Sequence, residues 1–174
     1  MNKYKEYFIG GDIRSIGHSR KLIKQIQSQQ EFDELFECLY DNDRIIKMRA
    51  IDVIEKITIP APEYLQTHKK KLLDLCKVEH YKEYKWHLAL LLPRLLLTED
   101  ELGYVWDVLS KWANDKTNSR VVRVLAMQGL YDLTHFVPEL TNDLNLTMQE
   151  LDKEEIPSIC ARIRIIKKKM KKQS

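Results

Sequence analysis

Apolar residues recur along nearly the whole chain at intervals of three and four, the spacing that gathers side chains on one face of a helix. No stretch alternates apolar and polar positions with β-branched residues as a half-buried strand would. The breaks between periodic segments carry their own signals. Ser28 with Glu31, and Thr98 with Glu101, have the spacing of a capping box, in which a hydroxyl and a carboxylate satisfy free amides at a helix start. Pro60, Pro62, Pro138 and Pro157 fall in gaps, where the missing N–H does least harm. Asp41-Asn42-Asp43 and Asn114-Asp115-Lys116 read as polar turns. The pattern predicts helices over 15–28, 31–40, 43–58, 62–77, 81–96, 99–113, 118–135, 138–151 and 156–171, with a short one over 3–9.

These segments repeat. LFECL (35–39), LLDLC (72–76) and VWDVL (105–109) share two apolar residues, one other, and two apolar. At about 100° per residue the four apolar positions form one face and the middle residue points away from it. Glu37, Asp74 and Asp107 hold that middle place and are expected on a solvated outer face, not in an acidic site.

The helices that follow repeat as well. VVRVLAMQGLYDL (121–133) sets Val122, Arg123, Ala126, Gly129, Leu130 and Leu133 at fixed spacing, and Ile46, Lys47, Ala50, Val53, Ile54 and Ile57 follow it. In KWHLALLLPRLLL (85–97), Ala89 and Leu96 match, while Trp86 takes the basic position and Pro93 the core leucine. The anchors Ala50, Ala89 and Ala126 are 39 and 37 residues apart. This arrangement closely resembles the second helix of a HEAT repeat, within the wider armadillo-like family, whose period is about 40 residues. It is clearest over residues 31–135, and the ends, 1–30 and 136–174, are atypical; a fourth match at Ala161 is poor. The resemblance implies an all-α fold in one domain over 1–174, a right-handed α-α superhelix of about four to five helix pairs.

KWHLALLLPRLLL is then the inner helix of the middle repeat, apolar nearly all round because it packs against its partner and both neighbours. A membrane span needs about 20 apolar residues, and Arg94 and Thr98 cut this run short. Pro93 cannot donate to the carbonyl of Ala89, so a kink, or two short helices meeting at Leu92-Pro93, is expected.

Composition narrows the function classes. An apolar share of 44% with 32% charged residues suits a folded soluble chain. Net charge is only +3, but Arg162, Arg164, Lys167, Lys168, Lys169, Lys171 and Lys172 are seven cations without an acid among them. Removing those seven from +3 leaves residues 1–161 four charges negative. That basic end caps the repeat array and suits a helix C-terminus, or, as a second reading, attracts nucleic acid or a membrane surface. The stripe Ile156, Ile159, Ile163, Ile166 and Met170 favours the first by tying the helix to a neighbour. Cys38, Cys76 and Cys160 are odd in number and lack CxxC spacing, which fits reduced thiols in the cytoplasm. The N-terminal MNKYKEYFIGGD lacks the apolar run of a secretory signal.

Candidate chemistry is sparse. Gly10-Gly11 is a lone pair without a phosphate-loop context, and His18, His68, His80, His87 and His135 form no HExxH. Neither metal nor cofactor is expected. EHYKEYKWH (79–87) mixes aromatic and basic residues as a nucleic-acid surface does, though a turn and helix start with inward aromatics explains it as well. The face of the inner helices turned from their core set carries Met48, Asp52 and Glu55, then His87, Leu91 and Arg94, then Val124, Gln128 and Tyr131. The resemblance implies a non-enzymatic scaffold that binds a protein partner on this face, with Asp52, Glu55, His87, Arg94, Gln128 and Tyr131 as contact residues. Some HEAT-like proteins resemble DNA glycosylases that remove alkylated bases, which is the alternative. It would need aromatics and a carboxylate in a basic groove, whereas Trp106 and Trp112 fall on a core stripe beside Asp107.

Overall fold

The computed structural model describes residues 2–9, 19–78 and 81–173. Gly10-Gly11, His18, His80, Glu79 and residues 15–18 of the first expected helix lie outside them. Among the described residues there are nine α-helices and no strand: α1 (Ser19–Gln25), α2 (Gln29–Phe36), α3 (Arg44–Ile57), α4 (Lys69–Val78), α5 (Lys82–Leu91), α6 (Glu99–Asn114), α7 (Arg120–Leu133), α8 (Thr141–Asp152) and α9 (Pro157–Gln173). Each expected helix is present. Four differ at one end, where a tighter 3-10 turn replaces α-helix: Glu37–Tyr40, Pro62–His68, Leu92–Arg94 and Pro138–Leu140. The short expected segment near the N-terminus is a 3-10 turn at Lys5–Tyr7.

The starts are fixed by side chains. Thr98 and Glu101 form the full reciprocal capping box on α6, at 3.3 and 2.8 Å. At α2, Ser28 accepts from the Glu31 amide as expected, while the Glu31 carboxylate takes the Gln27 amide at 2.9 Å. Asp43 caps α3 through the Ile45 amide at 2.7 Å, and Ser119 caps α7 through Val122. Glu37, Asp74 and Asp107 are all exposed, as the repeat pattern requires.

By its packing the chain divides into two compact units, Met1–Lys70 and Lys71–Ser174, with α4 crossing the boundary. In the first unit α3 packs on α1 and α2 over a core of Phe8, Leu22, Phe32, Leu35, Phe36, Leu39, Ala50, Ile51 and Ile54, all fully buried. Its buried guanidinium, Arg49, donates to the carbonyl of Phe8. His68 stacks on Phe36 with centroids 3.8 Å apart and meets Asp33 through Nε2 at 2.6 Å.

In the second unit α7 is the central helix, packed against α5, α6, α8 and α9. The anchors Ala89 and Ala126 are fully buried. A methyl group on Gly129 would lie 2.6 Å from the carbonyl oxygen of Ala89, 3.0 Å from Leu109 and 3.5 Å from Pro93. Glycine is what permits this approach. The same carbonyl is the one Pro93 cannot hydrogen-bond, and α5 ends two residues before the proline, so the expected break at Leu92-Pro93 is present.

Arg123, the basic residue of the repeat pattern, is 3% exposed. Its Nε donates to the Ala113 carbonyl near the end of α6 at 2.8 Å. Its two terminal nitrogens fork onto the Glu154 carboxylate at 3.0 and 2.7 Å, a planar match that makes such pairs strong. Glu154 lies in the turn between α8 and α9, where Glu155 adopts a left-handed conformation at φ 53°. In α9, Ile159, Ile163 and Ile166 are buried, so the isoleucine stripe ties the basic helix to the fold as expected.

Candidate functional site

The six residues expected on the inner face divide between the units. Asp52 and Glu55, on α3, are half-buried in the first, and Asp52 pairs with Lys56 one turn on. His87, Arg94, Gln128 and Tyr131 belong to the second. Arg94 is half-buried, but His87, Gln128 and Tyr131 are only 7, 8 and 2% exposed, and Leu91 is fully buried. The expectation that His87, Leu91, Gln128 and Tyr131 face outward therefore needs correction. A helix with neighbours on several sides has no free back, and α9 packs against α7 on the side carrying Gln128 and Tyr131.

That packing assembles a charged cluster. Arg162 of α9 donates to the Gln128 side-chain oxygen at 2.9 Å, and the Gln128 amide donates to Asp132 Oδ1 at 2.7 Å. One amide thus relays between a guanidinium and a carboxylate, with both of its ends used. Lys169, two turns after Arg162, holds its ammonium 5.7 Å from the centroid of the Tyr131 ring, within cation–π reach. His135 meets the same ring edge-on at 4.7 Å, and its Nδ1 lies 3.2 Å from the carbonyls of Tyr131 and Asp132.

The electrostatics centre on Asp132. Burial pushes its carboxyl above the usual carboxylate range; the Gln128 hydrogen bond and the charges of His135, Lys169 and Arg94 pull it back. Arg94, in the Leu92–Arg94 turn, thus contributes charge at a distance. Lys169 and Arg94 act on the carboxylate through their charges, and Arg162 reaches it only through the Gln128 amide. The sequence places Arg162 and Lys169 only in the basic end of the chain and gives Asp132 no role. The spacing of Gln128 and Asp132 by one helical turn was the only available signal.

The rest of the expected chemistry is spent on structure. In the EHYKEYKWH segment Tyr84 is buried, and Lys85 reaches Asn118 at 3.1 Å and the Trp112 ring at 5.9 Å. The thiols of Cys38 and Cys76 are pushed up by burial, to about 11 and about 12. Among the described residues no group of three His, Cys, Asp or Glu side chains is placed to hold a metal. The first unit has an open cleft of about 560 Å³ beside Lys3, Tyr4, Tyr7, Lys24 and Glu31. There Lys3 pairs with Glu34 at 2.8 Å and Glu31 serves the α2 cap, so both charges have local work. No described helix is long and apolar enough to cross a membrane.

A family model described as a HEAT repeat domain matches residues 11–170. Neither the curated proteins nor the solved structures contain a match to this chain.

Proposed function

The chain belongs to the HEAT repeat family, and from that premise we propose that it is an interaction module binding a protein partner on the inner-helix side. HEAT repeats generally work as scaffolds and not as catalysts. The observation that carries the reading is the Gln128–Tyr131–Asp132–Arg162–Lys169 cluster, with the charge of Arg94 acting on it. Gln128 and Tyr131 are buried within this seam of α7 and α9, while Lys169 is exposed and Arg162 half-buried, so fixed positive charge is what the seam presents. Asp52 and Glu55 would contribute within the first unit. The base-excising alternative has less behind it. Tyr131 is 2% exposed, with Lys169 over its ring and His135 at its edge, and so is not free to stack on a nucleobase. Trp112 is 6% exposed.

Affinity capture from native extract, with and without nuclease, tests the proposal. A partner protein retained through nuclease treatment and released by Arg94→Gln with Lys169→Gln is expected. Capture abolished by nuclease would overturn the reading in favour of nucleic-acid binding through the basic helix.

A further inference from the structure

We propose that the solvent face of α9 binds the phosphate backbone of a nucleic-acid duplex, as a second surface beside the one that takes a protein partner. The buried Ile159, Ile163 and Ile166 account for one side of this helix only. At about 100° per residue the row Arg164, Lys168 and Lys172 points away from them. Lys167 and Lys171 fall on one flank of that row, and Ile165, Lys169 and Arg162 on the other. Cations therefore cover the whole solvent arc. All are exposed except Arg162, which is half-buried, and no acid lies on α9. The central row is outside the contacts that α9 makes with Gln128 and Tyr131.

A polar end to the repeat array does not require this arrangement. Lys3, Lys5, Lys56, Lys77 and Lys153 each pair with an acid. No ion pair among the described residues involves Arg164, Lys167, Lys168, Lys171 or Lys172. Like charges one turn apart, as at Arg164–Lys168, Lys168–Lys172 and Lys167–Lys171, destabilise a helix, and a polyanion relieves them. A duplex carries a negative charge about every 1.7 Å, hence about seven over the roughly 12 Å from Arg164 to Lys172. An extended peptide, at about 3.3 Å per residue, would bring about four even if every residue were acidic. A membrane surface fits less well, because the apolar face that would enter it is buried. No aromatic residue lies on α9 to stack on splayed bases, which favours a duplex over a single strand. Contacts to the backbone alone carry no sequence preference.

Fluorescence anisotropy of labelled DNA and RNA duplexes of about 20 base pairs with the full chain, at about 50 to 200 mM salt, tests the inference. About four phosphate contacts give a slope of log affinity against log salt of about −3.6, a loss of about 150-fold over that range. Arg164→Gln, Lys168→Gln and Lys172→Gln together are expected to flatten the slope by about 2.7 and weaken low-salt binding about tenfold or more. Lys21→Gln, Lys24→Gln and Lys70→Gln remove as many exposed cations from the first unit and are expected to change neither. Binding of either duplex with this pattern supports the inference, and the tighter of the two names the source of the backbone. Equal loss in both variants overturns it, because the attraction then belongs to no one face. So does absence of duplex binding at the lowest salt. Binding as tight or tighter to single-stranded oligodeoxythymidine, poly-glutamate or phosphatidylserine vesicles overturns it as well. None of these outcomes decides the module reading, which depends on a partner protein retained through nuclease treatment.

Discussion

Gly129 and Gly103 ask the same question of two helices and should give opposite answers. Replacing either with alanine adds one methyl group inside a helix, which by propensity alone stabilises by about 0.8–1.0 kcal/mol. At Gly103 of α6 the methyl meets nothing within 4 Å. At Gly129 it would sit 2.6 Å from the Ala89 carbonyl oxygen, well inside the roughly 3.3 Å of an ordinary close carbon–oxygen contact. The obstacle is backbone, so α5 and α7 must separate, and overpacking of this kind costs about 1–3 kcal/mol. Taking the upper half of that range against the propensity gain, Gly129→Ala is expected to destabilise by about 1–2 kcal/mol. The difference between the two variants cancels propensity and isolates the contact, at about 2–3 kcal/mol. Both glycines lie in the second unit, as do all three tryptophans, Trp86, Trp106 and Trp112. Urea unfolding followed by tryptophan fluorescence therefore reports on the right unit. On heating, each kcal/mol is worth about 2–4 °C at this chain length. Equal stabilisation by both substitutions would refute the close approach at Ala89.

Three further outcomes follow from the charges and thiols. Glu154→Gln leaves the buried Arg123 guanidinium with a neutral partner and is expected to cost about 1.5–3 kcal/mol by urea titration. The Arg123 hydrogen bonds hold the Glu154 carboxyl below its usual range, so the pair stabilises fully above the ordinary glutamate pKa. That contribution fades as pH falls through the depressed value, and the variant's acid limb should be correspondingly flatter. Asp132 has the opposite sign: its folded pKa is raised, so its charged form is held at a cost that disappears as pH falls. Asp132→Asn is expected to raise the unfolding midpoint at neutral pH, with the gain shrinking on acidification; a gain independent of pH would refute the assignment. Burial pushes up the thiols of Cys38 and Cys76, and desolvation, then Asp152, that of Cys160. All three should react slowly with a thiol reagent at neutral pH in the native protein and quickly in urea.

Helical periodicity made the helix order and the repeat register legible, because each helix hides one face whatever its neighbours. The 3-10 turns were not legible. Pro62 and Pro138 open tight turns whose apolar residues keep the same face as the α-helix that follows, so periodicity cannot separate the two. Arg94, Gln128 and Tyr131 could be placed on one ridge from sequence. Their burial could not, because it depends on which neighbour lies behind α7, and no pattern within α7 records the arrival of α9. Asp132 is illegible for the same reason: a lone acid near a helix end acquires meaning only when α9 brings Lys169 near it and Arg162 onto its Gln128 partner.

The Arg123 fork also bears on how this chain can vary. Surface turns are ordinarily where a protein absorbs insertions and deletions. The turn between α8 and α9 is exposed at Lys153 and Glu155, yet Glu154 must present both carboxylate oxygens to a guanidinium already anchored on α6. One residue more or fewer between Asp152 and Pro157 would carry that carboxylate out of reach or turn it away. Length, and not only composition, is therefore constrained there, and the last helix pair is keyed to the preceding one like a part cut for a single position rather than an interchangeable unit.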